Sequence, residues 1–161
     1  MLIKSARYAA VLAVVVLGSA TAQAQTATQT VTFEVKAINQ IGVTGTPSLT
    51  ITTAVAGSAP TSVTDGTALW AVTTNQTTAK ITASMPAMPA GLTLSANLAP
   101  PAGAASPGYV ALGAVASDVV TGITKLAQGA LTITYKLDAT VAAGVVASAT
   151  RLVTYTITGG T

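Results

Sequence analysis

The sequence contains neither cysteine nor histidine among its 161 residues. Without cysteine the chain has no disulfide bond, no thiolate metal ligand and no thiol nucleophile. Without histidine it lacks the most common general base. We therefore predict no metal site, no cofactor and no enzymatic activity.

Charged residues are scarce as well, at 7% of the chain. The net charge of +3 comes partly from Lys4 and Arg7, and the rest of the chain has five basic and four acidic residues. Nucleic-acid binding needs clustered Lys and Arg, so we expect no nucleic-acid partner.

The few carboxylates are dispersed along the chain. No two acidic residues lie within six positions of each other, which excludes a local calcium-binding loop. An exported hydrolase using Asp65, Asp118 or Asp138 is the least favoured hypothesis, because solvated strand faces and turns account for each of these residues.

The N-terminal residues have the three zones of a secretory signal peptide. Lys4 and Arg7 precede an apolar run over residues 9–17, and Ala22-Gln23-Ala24 follows as a cleavage site. The run is too short to span a bilayer, and no later run approaches the roughly 20 apolar residues required. We predict a signal peptide over residues 1–24, one domain over residues 25–161 with no transmembrane span, and export to the periplasm, cell surface or medium.

Alternation of apolar and polar residues dominates the rest of the sequence and is typical of half-buried strands. It predicts a first strand from Val31 to Val43 that is broken at Ile38-Asn39, and turns at Asp65-Gly66 and Gly129. Further strands are predicted over residues 49–53, 69–74, 80–85, 92–98, 109–112, 119–123, 131–139 and 153–157, with residues 139–149 as a loop or strand. About eight or nine short strands without a convincing helix favour an all-β fold, an antiparallel Ig-like β-sandwich, with a small barrel as the alternative.

The strand faces carry Thr, Ser and Asn rather than charge. Monomeric β proteins usually protect sheet edges with charge, proline or bulges, so sparse protection suggests an edge that receives a strand from another copy. The candidate donor-strand residues are Val31, Phe33, Val35 and Ala37, every second residue of a segment near the predicted mature N-terminus. The alternative is an ordinary first strand that pairs within its own domain.

These features resemble those of bacterial pilins and fimbrial adhesins. The resemblance rests on the cysteine-free chain, the alternating segment from Thr30 to Asn39, and the closing Thr154-Tyr155-Thr156-Ile157. It implies an Ig-like fold and assembly by donor-strand complementation with other surface subunits. The disulfide found in many such subunits is missing, so only cysteine-free branches match.

A second hypothesis is a monomeric extracellular module that binds a glycan or small ligand. It would use loops around Met88 and Ala105, with Trp70 or Tyr109 as ligand-facing aromatic side chains. The alternative interpretation places Trp70 in the core of a sandwich strand. Asn75-Gln76-Thr77 also forms a glycosylation sequon.

Overall fold

The computed structural model describes residues 23–160, in which β-strands are the main regular structure. The charged and apolar parts of the predicted signal peptide lie outside these residues. The strands are β1 (Asn39–Thr44), β2 (Val63–Thr74), β3 (Ala79–Ser84), β4 (Leu92–Leu98), β5 (Val110–Ala111), β6 (Ser117–Ile123), β7 (Leu126–Ala139) and β8 (Thr154–Thr158). A short 3-10 turn, Val141–Ala143, follows β7.

The eight strands form two antiparallel sheets. One sheet has the order β1-β2-β7-β4-β5, and the other has the order β6-β3-β8. Every named strand pair is antiparallel. The all-β class is confirmed, and the arrangement is consistent with a β-sandwich.

Most strand predictions match the structure, but two do not. Residues 31–37 were predicted as a strand, yet they have no strand partner, and β1 begins only at Asn39. Residues 49–53 are also irregular; the nearest pairing is an isolated bridge between Ala54 and Pro60. Alternation shows that a segment is able to pair, but pairing also requires a neighbouring strand.

The turns predicted at Asp65-Gly66 and Gly129 are wrong because both sites lie inside long strands. The pairing of β2 with β7 shifts register between Asp65 and Ala68, and again between Trp70 and Val72. The second shift lies opposite Ala130, which has a φ of 55°. A β-bulge uses residue types that also favour turns, so the sequence signal for the two is the same.

The core lies between the inner faces of the sheets. Its larger side chains come from β2, β3, β4, β6 and β7, and they are Trp70, Ile81, Leu98, Val119, Val120, Ile123 and Ile133. In β2 the alternation that predicted the strand also sets the burial pattern, because Ala68, Trp70 and Val72 face inward.

No helix within residues 23–160 is long and apolar enough to cross a membrane.

The core contains a buried hydrogen-bond donor that has no acceptor among the described residues. Trp70 is 1% exposed, and its Nε1 has no hydrogen-bond partner among the described residues. An unsatisfied buried donor costs about 1–3 kcal/mol, which offsets part of the packing lost when the indole is shortened. We predict that Trp70→Phe changes the free energy of unfolding by less than about 1.5 kcal/mol, whereas Trp70→Ala costs about 3–5 kcal/mol.

Urea unfolding followed by circular dichroism measures both variants, since Trp70 is the only tryptophan and each variant loses the fluorescence probe. Equal destabilisation by the two substitutions would contradict the prediction.

Candidate functional site

One side of the two-sheet arrangement is open. β1 is the edge strand of the larger sheet and β8 is the edge strand of the smaller one, and no backbone pairing joins them. The start of β1 lies near the end of β8, because a Cβ added at Gly159 would meet Nδ2 of Asn39. From this common end the two strands run antiparallel, with open space between them further along.

The free edge of β8 lacks the usual protection against pairing. Its residues, Thr-Tyr-Thr-Ile-Thr, include no charge and no proline, and its register with β3 is continuous without a bulge. The edge strand on the opposite side of this sheet is covered, because Ala105 and Thr121 of β6 exchange two backbone hydrogen bonds of 2.9 Å. β8 therefore presents unpaired backbone groups on the side of the fold that is open.

Beside this edge is a cleft of about 470 Å³, which we call the edge cleft. Its floor is formed by Leu94 of β4 with Tyr135 and Leu137 of β7. Its walls come from β1 with the following loop, from the loop between β3 and β4, and from β8 with the chain that enters it. The wall residues are Ile41, Val43, Pro47, Leu49, Met88, Ala149, Thr150, Arg151, Val153 and Tyr155. Most of the lining residues have apolar side chains, and Tyr135, Thr150, Arg151 and Tyr155 add polar groups. The cleft can therefore receive apolar side chains beside these polar groups.

Two tyrosines supply the main polar contact in the edge cleft. The hydroxyl groups of Tyr135 and Tyr155 are 2.8 Å apart and share a hydrogen bond. Burial raises the pKa of both phenols above the ordinary value of 10.0, and the hydrogen bond raises the pKa of Tyr155 further. Both hydroxyls are therefore neutral at physiological pH.

A second cleft of about 560 Å³ adjoins the first beneath the loops that precede β2 and follow β7. The two clefts share Leu49, Met88, Leu137, Ala149 and Arg151. Among residues 23–160, Arg151 is the one charged side chain that lines either cleft, and its Nη1 donates to the carbonyl of Thr150 at 3.0 Å.

The predicted donor residues lie in an exposed segment. Val31, Phe33 and Val35 are 72%, 90% and 78% exposed, and Ala37 is exposed as well. Apolar side chains of this size gain about 1.5–3 kcal/mol each when they are buried. Residues 31–37 have no partner strand, whereas the later part of the predicted first strand forms β1 and pairs with β2.

The end of this segment is fixed by Asn75. Its side-chain Oδ1 accepts the amide of Ile38 and its Nδ2 donates to the carbonyl of Lys36, both at 2.8 Å. The backbone amide of Asn75 also donates to the carbonyl of Ile38 at 3.2 Å. The sequon asparagine is thus engaged in holding the chain just before β1.

The residues predicted for ligand binding are dispersed. Trp70 is in the core, so its ring does not face a ligand in this structure, while Tyr109 is 46% exposed. Met88 lines both clefts, but Ala105 pairs with Thr121 and lines neither. The structure does not bring these aromatic rings and loops together into one site.

The three aspartates have separate structural partners. Asp65 accepts from the amide of Ser48 and from Thr67, and the Thr67 hydroxyl is the main cause of its lowered pKa. Asp138 accepts from the hydroxyl of Ser62, the main cause of its lowered pKa, and is 3.0 Å from Lys136.

Asp118 forms an ion pair with Lys80 at 2.9 Å. Within residues 23–160, no three acidic side chains are grouped in a way that could hold a metal ion.

Sequence reasoning did not predict the residues that line the clefts. Arg151 lies in an irregular segment where no periodicity marks it, and Leu49 was predicted as the start of a strand that the structure does not contain. Asn75 was noted as part of a sequon, without its contacts to residues 36–38. Tyr155 was predicted in a strand, but its pairing with Tyr135 depends on the approach of the two sheets.

Comparisons with protein-family models, curated proteins and solved structures gave no match to this chain.

The tyrosine pair predicts an alkaline limit to stability. A phenol whose pKa is raised by folding contributes stability below its unfolded pKa near 10 and loses it as pH rises through the folded pKa. We expect the melting temperature to fall above about pH 10, and to fall less steeply in a Tyr135→Phe/Tyr155→Phe double variant. The matched control is Tyr109→Phe, at an exposed tyrosine outside the cleft; if its profile flattens equally, the prediction is wrong.

Proposed function

We propose that this protein is a non-enzymatic, exported structural or adhesive surface subunit that assembles by β-strand addition. Val31, Phe33, Val35 and Ala37 of one copy are the donor residues. The free edge of β8 and the edge cleft of the next copy are the acceptor. One observation carries the proposal: an exposed alternating segment without a partner strand occurs in the same chain as an unprotected edge strand beside an apolar cleft.

The chemistry of the donor fits the acceptor. A strand added along β8 would pair its backbone with the free edge and point every second side chain toward the space between the sheets. That face of β8 carries Tyr155 and Ile157, both partly buried against the core. The added strand would cover these side chains as well as its own Phe33.

The groups that line the proposed acceptor are compatible with apolar donor side chains. No acidic residue in the described part of the chain lines either cleft, and one of the two tyrosine hydroxyls, Tyr135 or Tyr155, donates to the other. Apolar side chains therefore enter without leaving a buried carboxylate unpaired.

The resemblance to pilins and fimbrial adhesins belongs to this proposal. An Ig-like sandwich that receives one strand from a neighbour, exported through the predicted signal peptide and displayed at the periplasm, cell surface or medium, accounts for the unpaired segment and the open edge together. Its partners are further copies of the chain or other surface subunits, with no cofactor.

The test is size-exclusion chromatography with light scattering and negative-stain microscopy on the chain from Gln25. We predict oligomers or filaments for the wild type and at least about tenfold weaker assembly for Phe33→Asp, because the variant loses the burial of a phenyl ring. A free peptide of residues 30–39 should inhibit assembly, and a peptide with the same substitution should not.

Thr32→Asp is the matched control, since it adds the same charge to the other face of the segment. Equal loss of assembly in Thr32→Asp and Phe33→Asp would mean that charge, rather than the apolar face, controls association. A wild-type chain that stays monomeric at high concentration overturns the proposal.

A further inference from the structure

The donor segment and its acceptor belong to one chain, so the segment could in principle close on its own cleft. The order of the strands shows what this requires. β1 runs away from the end of the fold where Asn39 pairs with Thr74, and the edge cleft lies alongside β1 from Ile41 onward. To enter that cleft, the segment before β1 would have to reverse direction just before Asn39. It would then run antiparallel to β1, in a hairpin with it.

Asn75 opposes that reversal. In an extended chain the carbonyl of one residue and the amide two residues later point to the same side, where a neighbouring strand bonds both. The side-chain amide of Asn75 takes the place of that neighbour, bonding the Lys36 carbonyl and the Ile38 amide at 2.8 Å each. Its backbone amide adds a third bond, one position beyond the last β1–β2 pair.

Further hydrogen bonds support these three contacts of Asn75 with residues 36–38, which we call the Asn75 clamp. Gln76 Nε2 donates to Oδ1 of Asn75 at 3.1 Å, and the Gln76 amide donates to the hydroxyl of the buried Thr74 at 3.0 Å. Thr74 in turn donates to Oδ1 of Asn39 at 2.7 Å. The orientation of the Asn75 amide is therefore fixed from both sides.

We propose that Asn75 is a positioning residue that holds residues 36–38 extended, and so directs the N-terminal segment to a second copy instead of its own cleft. This inference rests on the proposed function for the fate of the segment, but the clamp can be measured independently of assembly.

Trypsin gives that measurement because Lys36-Ala37 lies within the clamped stretch. Arg151-Leu152 lies in an exposed irregular segment and serves as a reference within the same chain. Because Arg151 also lines the edge cleft, cleavage is measured at a dilution at which the wild type and the variant are both monomeric, so that assembly does not change access to either site. We expect Asn75→Ala to raise the ratio of cleavage at Lys36 to cleavage at Arg151 by about 5- to 30-fold, the effect of losing two hydrogen bonds. Light scattering on the same variant should show a larger monomer fraction than the wild type.

Two further variants sharpen the test. Asn75→Asp keeps the acceptor for Ile38 and loses the donor to Lys36, so an intermediate cleavage ratio is expected, and it replaces Asn75→Ala if that variant fails to fold. Gln128→Ala removes a side-chain to backbone hydrogen bond of 2.9 Å at Ala102, and should leave both the cleavage ratio and assembly unchanged.

The outcomes separate the two claims. An unchanged cleavage ratio in Asn75→Ala overturns the clamp, and a raised ratio with assembly equal to the wild type overturns its role in directing the segment. If the wild type does not assemble, the proposed function fails, and the cleavage ratio alone then decides whether Asn75 holds the segment.

Discussion

The pairing of β2 with β7 is the interaction on which the rest of the fold depends. These are the longest strands, with 12 and 14 residues, and they occupy the middle of the larger sheet. β1 attaches only to β2, and β4 attaches to the other side of β7. Two register shifts within the pair increase its local twist. The core residues Trp70 and Ile133 come from these strands. Tyr135 and Leu137 of β7 also form part of the floor of the edge cleft, so the β2–β7 pairing determines both the strand order and this floor.

Strand order then determines which edges are open. On one side, the short β5 and the bridge between Ala105 and Thr121 bring the larger sheet and β6 together. On the other side β1 and β8 approach at Asn39 and Gly159, but they do not pair. The unpaired edge of β8 and the edge cleft therefore lie on the same side of the fold. In the proposed assembly, one added strand from the alternating segment would pair with that edge and fill that cleft.

Local patterning predicted the strands that pair within the chain but not the partnership of each segment. β4, β7 and β8 were recognisable because alternation records which face is buried. The same alternation at Val31 and Phe33 occurs in an exposed segment without a partner strand, so periodicity alone predicted a strand where the structure has none. Bulges at Asp65 and Gly129 carried turn residues and were read as chain reversals. The clefts and the Asn75 contacts join residues distant in sequence, and single-segment patterns contain no information on them.

Competition between self-closure and assembly explains why a clamp matters. A segment tethered next to its own cleft has an effective concentration of about millimolar, which exceeds most concentrations of free neighbouring copies. Under the proposed function, the alternating segment would therefore occupy the cleft of its own chain unless that closed form is penalised. A clamp that disfavours reversal by about 5- to 30-fold lowers the effective concentration to the range of tens to hundreds of micromolar. The sequence adds a second penalty, because residues 31–41 contain no glycine or proline, and tight hairpin turns favour glycine. In the proposed assembly, the Asn75 hydrogen bonds and this turn-poor sequence would together keep the exposed apolar segment available to another molecule.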